Sequence, residues 1–153
     1  ALAAHPESTI VRTSWLFSEY GSNFVKTMLR LAKERDSLSI VHDQTGCPTY
    51  AGDLAHAIIS LLQQPTSPRG IFHYCGNKSA TWYEFTKAIF QTAHQLDDSF
   101  RIPELHAITT DQYPLPAPRP AYSIMDCSRL ETEFGIKPSD WQKALREILR
   151  TID

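Results

Sequence analysis

Three groups of residues have types and spacings that bear on chemistry. Tyr74 with Lys78 and Tyr83 with Lys87 each stand four apart. On a helix that spacing lets an ammonium lower a phenol's pKa, so the phenol can give a proton to a developing alkoxide. Neither pair qualifies. Gly76 splits the first pair in a loop, and the second is a coincidence easily met in a chain with this many lysines. The second group is Thr13-Ser14-Trp15, which follows a β-branched apolar run, Thr9 to Arg12, that reads as a buried strand. In open α/β sheets ligands sit beyond the carboxyl ends of strands. A tryptophan there offers a broad apolar face and one N–H donor, suited to a sugar or planar ring, although the same side chain also suits a core. The third group is the histidines and cysteines. His42, His56, His73, His94 and His106 share no helical face, and His73 with Cys75 supplies only two ligands, so no metal site is expected. Cys47, Cys75 and Cys127 form no CxxC pair and no disulfide frame, which fits a reducing cytoplasm.

The elements that must position these residues follow from periodicity. Ala1 to Ala4 reads as the tail of a helix that His5-Pro6 stops. Phe24, Val25, Met28, Leu29 and Ala32 make one apolar face of a helix reaching about Arg35, which Ser22 or Asn23 can cap. Leu38 to His42 alternates as a half-buried strand, and Asp43 to Pro48 is a loop. Thr49 is expected to cap a helix to about Gln63 with Leu54, Ile58, Leu61 and Leu62 inward. Ile71 to Cys75 is a short strand. Thr81-Trp-Tyr-Glu84 is a capping box opening a helix whose inner face is Trp82, Phe85, Ile89 and Leu96. Leu105 to Thr109 is a strand. Tyr113 to Pro120 holds four prolines and excludes regular helix or central strand. Asp126 can cap a short helix ending near Gly135. Ser139-Asp-Trp-Gln142 is a second capping box, before a helix that buries Trp141, Leu145, Ile148 and Ile152. The fold class is mixed α/β, with about four main helices and short strands.

The 153 residues suffice for one domain with a real core. An apolar fraction of 42%, a charged fraction of 21% and a net charge of −2 are those of an ordinary globular protein. No basic stripe recommends nucleic acid as a partner. No apolar run approaches the ~20 residues of a membrane span, and no secretory segment opens the chain.

Arg12-Thr-Ser-Trp15, with Gly21-Ser-Asn-Phe-Val-Lys-Thr-Met-Leu-Arg-Leu-Ala-Lys-Glu-Arg35, resembles the second half of dTDP-4-dehydrorhamnose reductases, members of the extended short-chain dehydrogenase/reductase superfamily. Asp43-Gln-Thr-Gly-Cys-Pro-Thr49, Ser79-Ala-Thr-Trp-Tyr-Glu-Phe85 and Arg119-Pro-Ala-Tyr-Ser123 extend that resemblance over nearly the whole chain, in the family's order. The resemblance implies a parent that passes a hydride from NADPH or NADH to C4 of dTDP-4-dehydro-β-L-rhamnose. It implies that residues 1–153 are the substrate-binding domain. The glycine-rich dinucleotide turn and the catalytic Tyr/Lys pair are expected upstream of Ala1, because the six glycines here make no such turn. Tyr83 and Lys87 lie downstream of the substrate stretches, where the family's pair does not occur. This chain alone is expected to be inactive.

By the same resemblance, Trp15 packs on the deoxysugar, Thr13 and Ser14 meet the nicotinamide carboxamide, and Arg119 grips the diphosphate, a task a planar guanidinium suits. Asn23 either contacts the diphosphate or caps its helix. Gln44 and Pro48 flank the substrate. The rival readings are a non-catalytic relative, such as a methionine adenosyltransferase regulatory subunit, and an enzyme for another nucleotide sugar. The first strand is expected at a sheet edge, where an unpaired ladder favours self-association and makes a homodimer possible.

Overall fold

Apolar side chains at three- and four-residue spacing bring three helices around one core. These are α1 (Phe24–Glu34), α3 (Trp82–Leu96) and α5 (Trp141–Ile148). Val25, Phe85, Ile89 and Phe90 are fully enclosed between them, with Met28, Trp141 and Leu145. The computed structural model describes residues 2–66 and 68–152. In chain order the remaining elements are β1 (Thr9–Arg12), β2 (Leu16–Phe17), β3 (Ser37–Val41), β4 (Thr45–Gly46), β5 (Thr49–Tyr50), α2 (Ala51–Leu62), β6 (Gly70–His73), β7 (Ala80–Thr81), β8 (Glu104–Ile108) and α4 (Ser128–Phe134).

The strands form four pairs rather than one broad sheet. β1 pairs with β6, β2 with β5 and β3 with β8, all parallel, while β4 and β7 are antiparallel. Parallel pairing needs a crossover connection. Here α1 and α3 lie within the crossovers, which is why helices and strands share one core. β3 presents Leu38 and Ile40 to that core, as its alternation predicts. A second core forms where Phe72 and Tyr74, at and beyond β6, meet Ala57 and Leu61 of α2 and Leu130 of α4.

α1, the third strand, the Thr81–Glu84 capping box and the irregular proline segment follow the sequence closely. The first strand forms where expected but is not buried: Ile10 and Val11 are half-buried and Thr9 and Arg12 exposed, since β1 pairs with β6 alone among the described residues. Several local expectations are corrected. Leu2–Ala4 is a turn rather than a helix tail, since Ala3 and Ala4 are exposed and present no apolar face whose packing would stabilise a helix; Ala1 lies outside the described residues. Thr49 does not cap α2. Its buried hydroxyl donates to the Cys47 carbonyl at 3.1 Å and accepts the Gly76 amide at 3.2 Å, so it is already engaged. The residue at the α2 cap is Tyr50, with no side-chain cap bond. On α2, Ile58 is 40% exposed and Leu62 80% exposed, because the second core meets only the face bearing Ala57 and Leu61. Leu96 is likewise exposed at the end of α3. Asp140, rather than Ser139, caps α5 by accepting from the Lys143 amide. Ser139 Oγ instead donates to Asp53 Oδ2 at 2.6 Å. Cys127 occupies the cap position of α4, and Asp126 braces that turn by accepting the Ser128 amide.

Gly76 joins the two cores. Its amide bonds Thr49, and it bridges to Ser139. A methyl group at this position would collide with the Pro48 carbonyl oxygen and lie 2.8 Å from Trp141 Cδ1. Backbone cannot step aside as a flexible side chain can. Gly76→Ala is therefore expected to cost about 3 kcal/mol, the upper range of overpacking; urea denaturation of the protein measures it.

Candidate functional site

The site is built where the chain changes partner. β1 runs beside β6 as far as Arg12, whose carbonyl accepts the Tyr74 amide at 2.9 Å. Four residues later β2 runs beside β5 instead, and the Trp15 carbonyl accepts the Thr49 amide at 3.1 Å. The turn between them is made at Trp15, with φ +48°, in the left-handed region that a bulky residue rarely adopts. Such a conformation persists only when its surroundings hold it.

What holds Trp15 is an aromatic stack. Its ring lies parallel to Trp82, with centroids 3.5 Å apart and planes 8° apart, and Trp82 leans in turn on Phe24. Gly46 lies against the same indole: a methyl there would strike Cε2 and come within 2.6 Å of Nε1. One face of Trp15 is thus covered by protein, and a ligand must use the opposite face or an edge. Trp15 is half-buried, which leaves such surface.

The other predicted residues are distributed unevenly around this stack. Gln44 is 8% exposed, its amide oxygen accepting from Trp82 and its nitrogen donating to Thr110. Pro48 is fully buried and has no surface to offer a ligand. Asn23 acts as the α1 cap: Oδ1 accepts the Lys26 amide at 3.2 Å, and Nδ2 donates to the Ser18 carbonyl at 2.7 Å. Both ends of its amide are occupied. Ser14 Oγ donates to the Cys47 carbonyl at 3.1 Å. Thr13 Oγ1 is enclosed and has no hydrogen-bond partner among the described residues. Arg119 is exposed and makes no ion pair among the described residues. Its segment returns to the site just beyond it, where the Ala121 carbonyl accepts the Thr45 amide at 2.8 Å and the Ser123 amide donates to the Thr45 carbonyl. Two residues of chain span at most about 7 Å, so the Arg119 backbone lies close to the Thr45–Gly46 strand.

Sequence reasoning missed four participants: Trp82, read only as core, Gly46, read only as loop punctuation, and Asp43 and Thr110. A tryptophan opening a capped helix opposite another tryptophan at a strand end was the available signal. The Tyr74–Lys78 pair is not poised for proton transfer. Tyr74 is buried, and burial, aided by Asp53, pushes its hydroxyl well up, the opposite of an activated phenol. Lys78 Nζ donates to Gln142 instead. Among the described residues no three His, Cys, Asp or Glu side chains are arranged to hold a metal ion. A cavity of about 590 Å³ lies apart from the stack, between α2 and the end of α4, against Asp53, His56, Tyr74 and Gly135. It is lined by none of the predicted site residues, and Asp53, His56, Gln64 and Lys137 make its wall largely polar.

Parallel strand pairs with crossover helices, and an aromatic-walled loop cluster beyond a strand end, define a ligand-binding α/β unit. Over residues 1–153 the chain matches the RmlD substrate binding domain, and it belongs to that family. It is 48% identical over 151 residues to a dTDP-4-dehydrorhamnose reductase of Aggregatibacter actinomycetemcomitans, covering 96% of this chain and 51% of that protein. It is 43% identical over 144 residues to the spore coat polysaccharide biosynthesis protein SpsK of Bacillus subtilis, covering 94% of this chain and 47% of that protein. Among solved structures, dTDP-4-dehydrorhamnose reductase from Bacillus anthracis in complex with NADP superposes with TM-score 0.82 at 40% identity, over 94% of this chain and 48% of that one. The chain spans about half the length of the curated relatives it matches. Among the described residues no helix is long and apolar enough to cross a membrane.

Two outcomes follow from this geometry. Gly46→Ala is expected to push Trp15 off its stack and change the near-ultraviolet circular dichroism of the indoles, with far-ultraviolet spectra unaltered. Asp43 accepts the Thr110 amide and hydroxyl, which hold its carboxyl below the ordinary value of 3.8. A depressed carboxyl contributes stability above its unfolded pKa and loses it as pH falls through the folded one. The Asp43–Thr110 contact is therefore expected to persist at pH 4 and break only below 3.8; a carboxyl NMR titration with a midpoint above 3.8 contradicts this.

Proposed function

We propose that this chain is the nucleotide-sugar-binding domain of a dTDP-4-dehydrorhamnose reductase, which reduces dTDP-4-dehydro-β-L-rhamnose to dTDP-β-L-rhamnose. The observation that carries the reading is the match to the RmlD substrate binding domain along the whole chain, with an aromatic wall at the strand end where a sugar would lie. The free face or edge of Trp15 packs on the apolar side of the deoxysugar. Arg119, exposed and in no ion pair among the described residues, pairs with the diphosphate. Asn23 serves as the helix cap and leaves the diphosphate to Arg119. The regulatory-subunit alternative is set aside, because the relatives reported above bear reductase or polysaccharide-biosynthesis names.

NADPH or NADH, when bound, supplies the hydride for C4. The residues here fit one end of such a cofactor. Thr13 Oγ1 is a buried hydroxyl with unused hydrogen-bonding capacity, as a carboxamide partner requires. Ser14 Oγ, while donating to Cys47, still has lone pairs to accept an N–H. The upstream half of the protein contributes the glycine-rich dinucleotide turn and the tyrosine that gives the O4 proton. What this chain does is orient: it holds the sugar ring so that C4 and its carbonyl face that half, and it shields the reacting centre from water. A cytoplasmic setting agrees with three buried, reduced cysteines.

The test is turnover by the full-length protein. NADPH oxidation dependent on the dTDP-4-dehydro sugar is expected, with a UDP sugar bound more weakly; absence of turnover with a folded protein refutes the reading. Trp15→Ala is expected to raise KM about tenfold or more through lost ring contact. Arg119→Ala is expected to raise KM by a similar factor, with partial recovery in Arg119→Lys, which keeps the charge but not the two-pronged grip.

A further inference from the structure

We infer that Gln44, Trp82, Thr110 and Asp43 form a one-directional hydrogen-bond relay that positions Trp15, so that Gln44 serves the substrate through the indole stack rather than by touching it. The inference rests on the proposed placement of Trp15 against the sugar. An indole N–H can only donate. Trp82 Nε1 donates to Gln44 Oε1 at 3.2 Å, which fixes the amide's orientation without ambiguity. Gln44 Nε2 must then face Thr110 Oγ1, at 3.1 Å, as donor. Thr110, having accepted, turns its own proton to Asp43 Oδ1 at 2.7 Å. The Thr110 amide also donates to Asp43, 3.0 Å from each oxygen. Every donor points the same way, and the chain ends on a carboxylate, the arrangement in which successive bonds strengthen one another.

The relay is anchored on sheet. Val41 pairs with Ile108 at the ends of β3 and β8, and Asp43 and Thr110 stand two residues beyond, continuing the same register. One end of the relay is therefore held by the β3–β8 pair, and the other is the indole of Trp82, on which Trp15 stacks. The φ +48° of Trp15 gives that stack something to resist. Gln44 is buried with both amide ends occupied, so it cannot turn toward a ligand without leaving a partner unpaired.

The experiment uses the full-length protein. Gln44→Glu is nearly isosteric but cannot donate to Thr110. Thr110→Val removes the hydroxyl, while Thr110→Ser restores it. The readouts are KM and kcat for the dTDP sugar and the near-ultraviolet circular dichroism of the indole pair, taken as the difference from Trp15→Phe. Gln44→Glu and Thr110→Val are each expected to raise KM about tenfold, with kcat within about twofold, as loss of uniform binding does. The indole difference signal is expected to fall in both, and Thr110→Ser to recover signal and KM together. An unchanged signal and KM in both variants overturns the inference. So does a raised KM with an unaltered indole signal, which would make Gln44 a contact residue. Should Gln44→Glu fail to fold, the threonine pair decides alone. A wild-type protein that turns over no dTDP sugar defeats the functional reading only, and the indole signal then decides whether the relay holds Trp15.

Discussion

A strand that leaves one neighbour for another has to turn, and in this chain the turn falls on a tryptophan. β1 belongs with β6 and β2 with β5, and Thr13, Ser14 and Trp15 are all the chain there is to make the change. The left-handed backbone at Trp15 follows from that demand. So does the placing of its carbonyl on the Thr49 amide, which seats Thr49 where its hydroxyl reaches Gly76, and Gly76 in turn meets Ser139. Both cores are joined through this short path. The position that organises the site is also the one that ties α2 and α5 to the rest.

Much of the architecture was legible in the residues. Phe24, Val25 and Met28 at helical spacing marked α1; Leu38 and Ile40 in alternation marked β3; Thr81 and Glu84 marked the start of α3. These are local signals, and local physics settles them. The errors are of another kind. Thr49 and Ser139 have the right chemistry to cap helices, but distant partners, Gly76 and Asp53, claim their hydroxyls. Ile58 and Leu62 lie on a helical stripe, yet no core comes to meet it among the described residues. Competition for one hydroxyl from a segment 27 or 86 residues away has no trace in a window of four.

The candidate site was legible as a neighbourhood and not as an arrangement of contacts. Trp15 was recognisable by its place after a strand, and Asn23 as either cap or ligand; its two occupied amide ends assign it to the cap. The stack with Trp82 was signalled only by residue type, one tryptophan at a strand end and another opening a capped helix; nothing local specifies that the two rings meet. Gly46 was visible only as a break in structure. Its real task is to be small, since any side chain there would take the space the Trp15 indole occupies.

The three cysteines, scattered and unremarkable in sequence, meet in the fold. Cys75 and Cys127 sulfurs lie 3.5 Å apart, and Cys47 completes the cluster. The neighbouring Cys75 thiol, together with burial, pushes the Cys127 thiol up, so it stays protonated and inert while enclosed. The three come from the loop beneath Trp15, the end of β6 and the start of α4, which makes their junction a natural clock. A thiol reagent can reach them only when those segments part. The labelling rate under native conditions therefore reads the opening free energy of the seam between the two cores, with no mutation and no added probe.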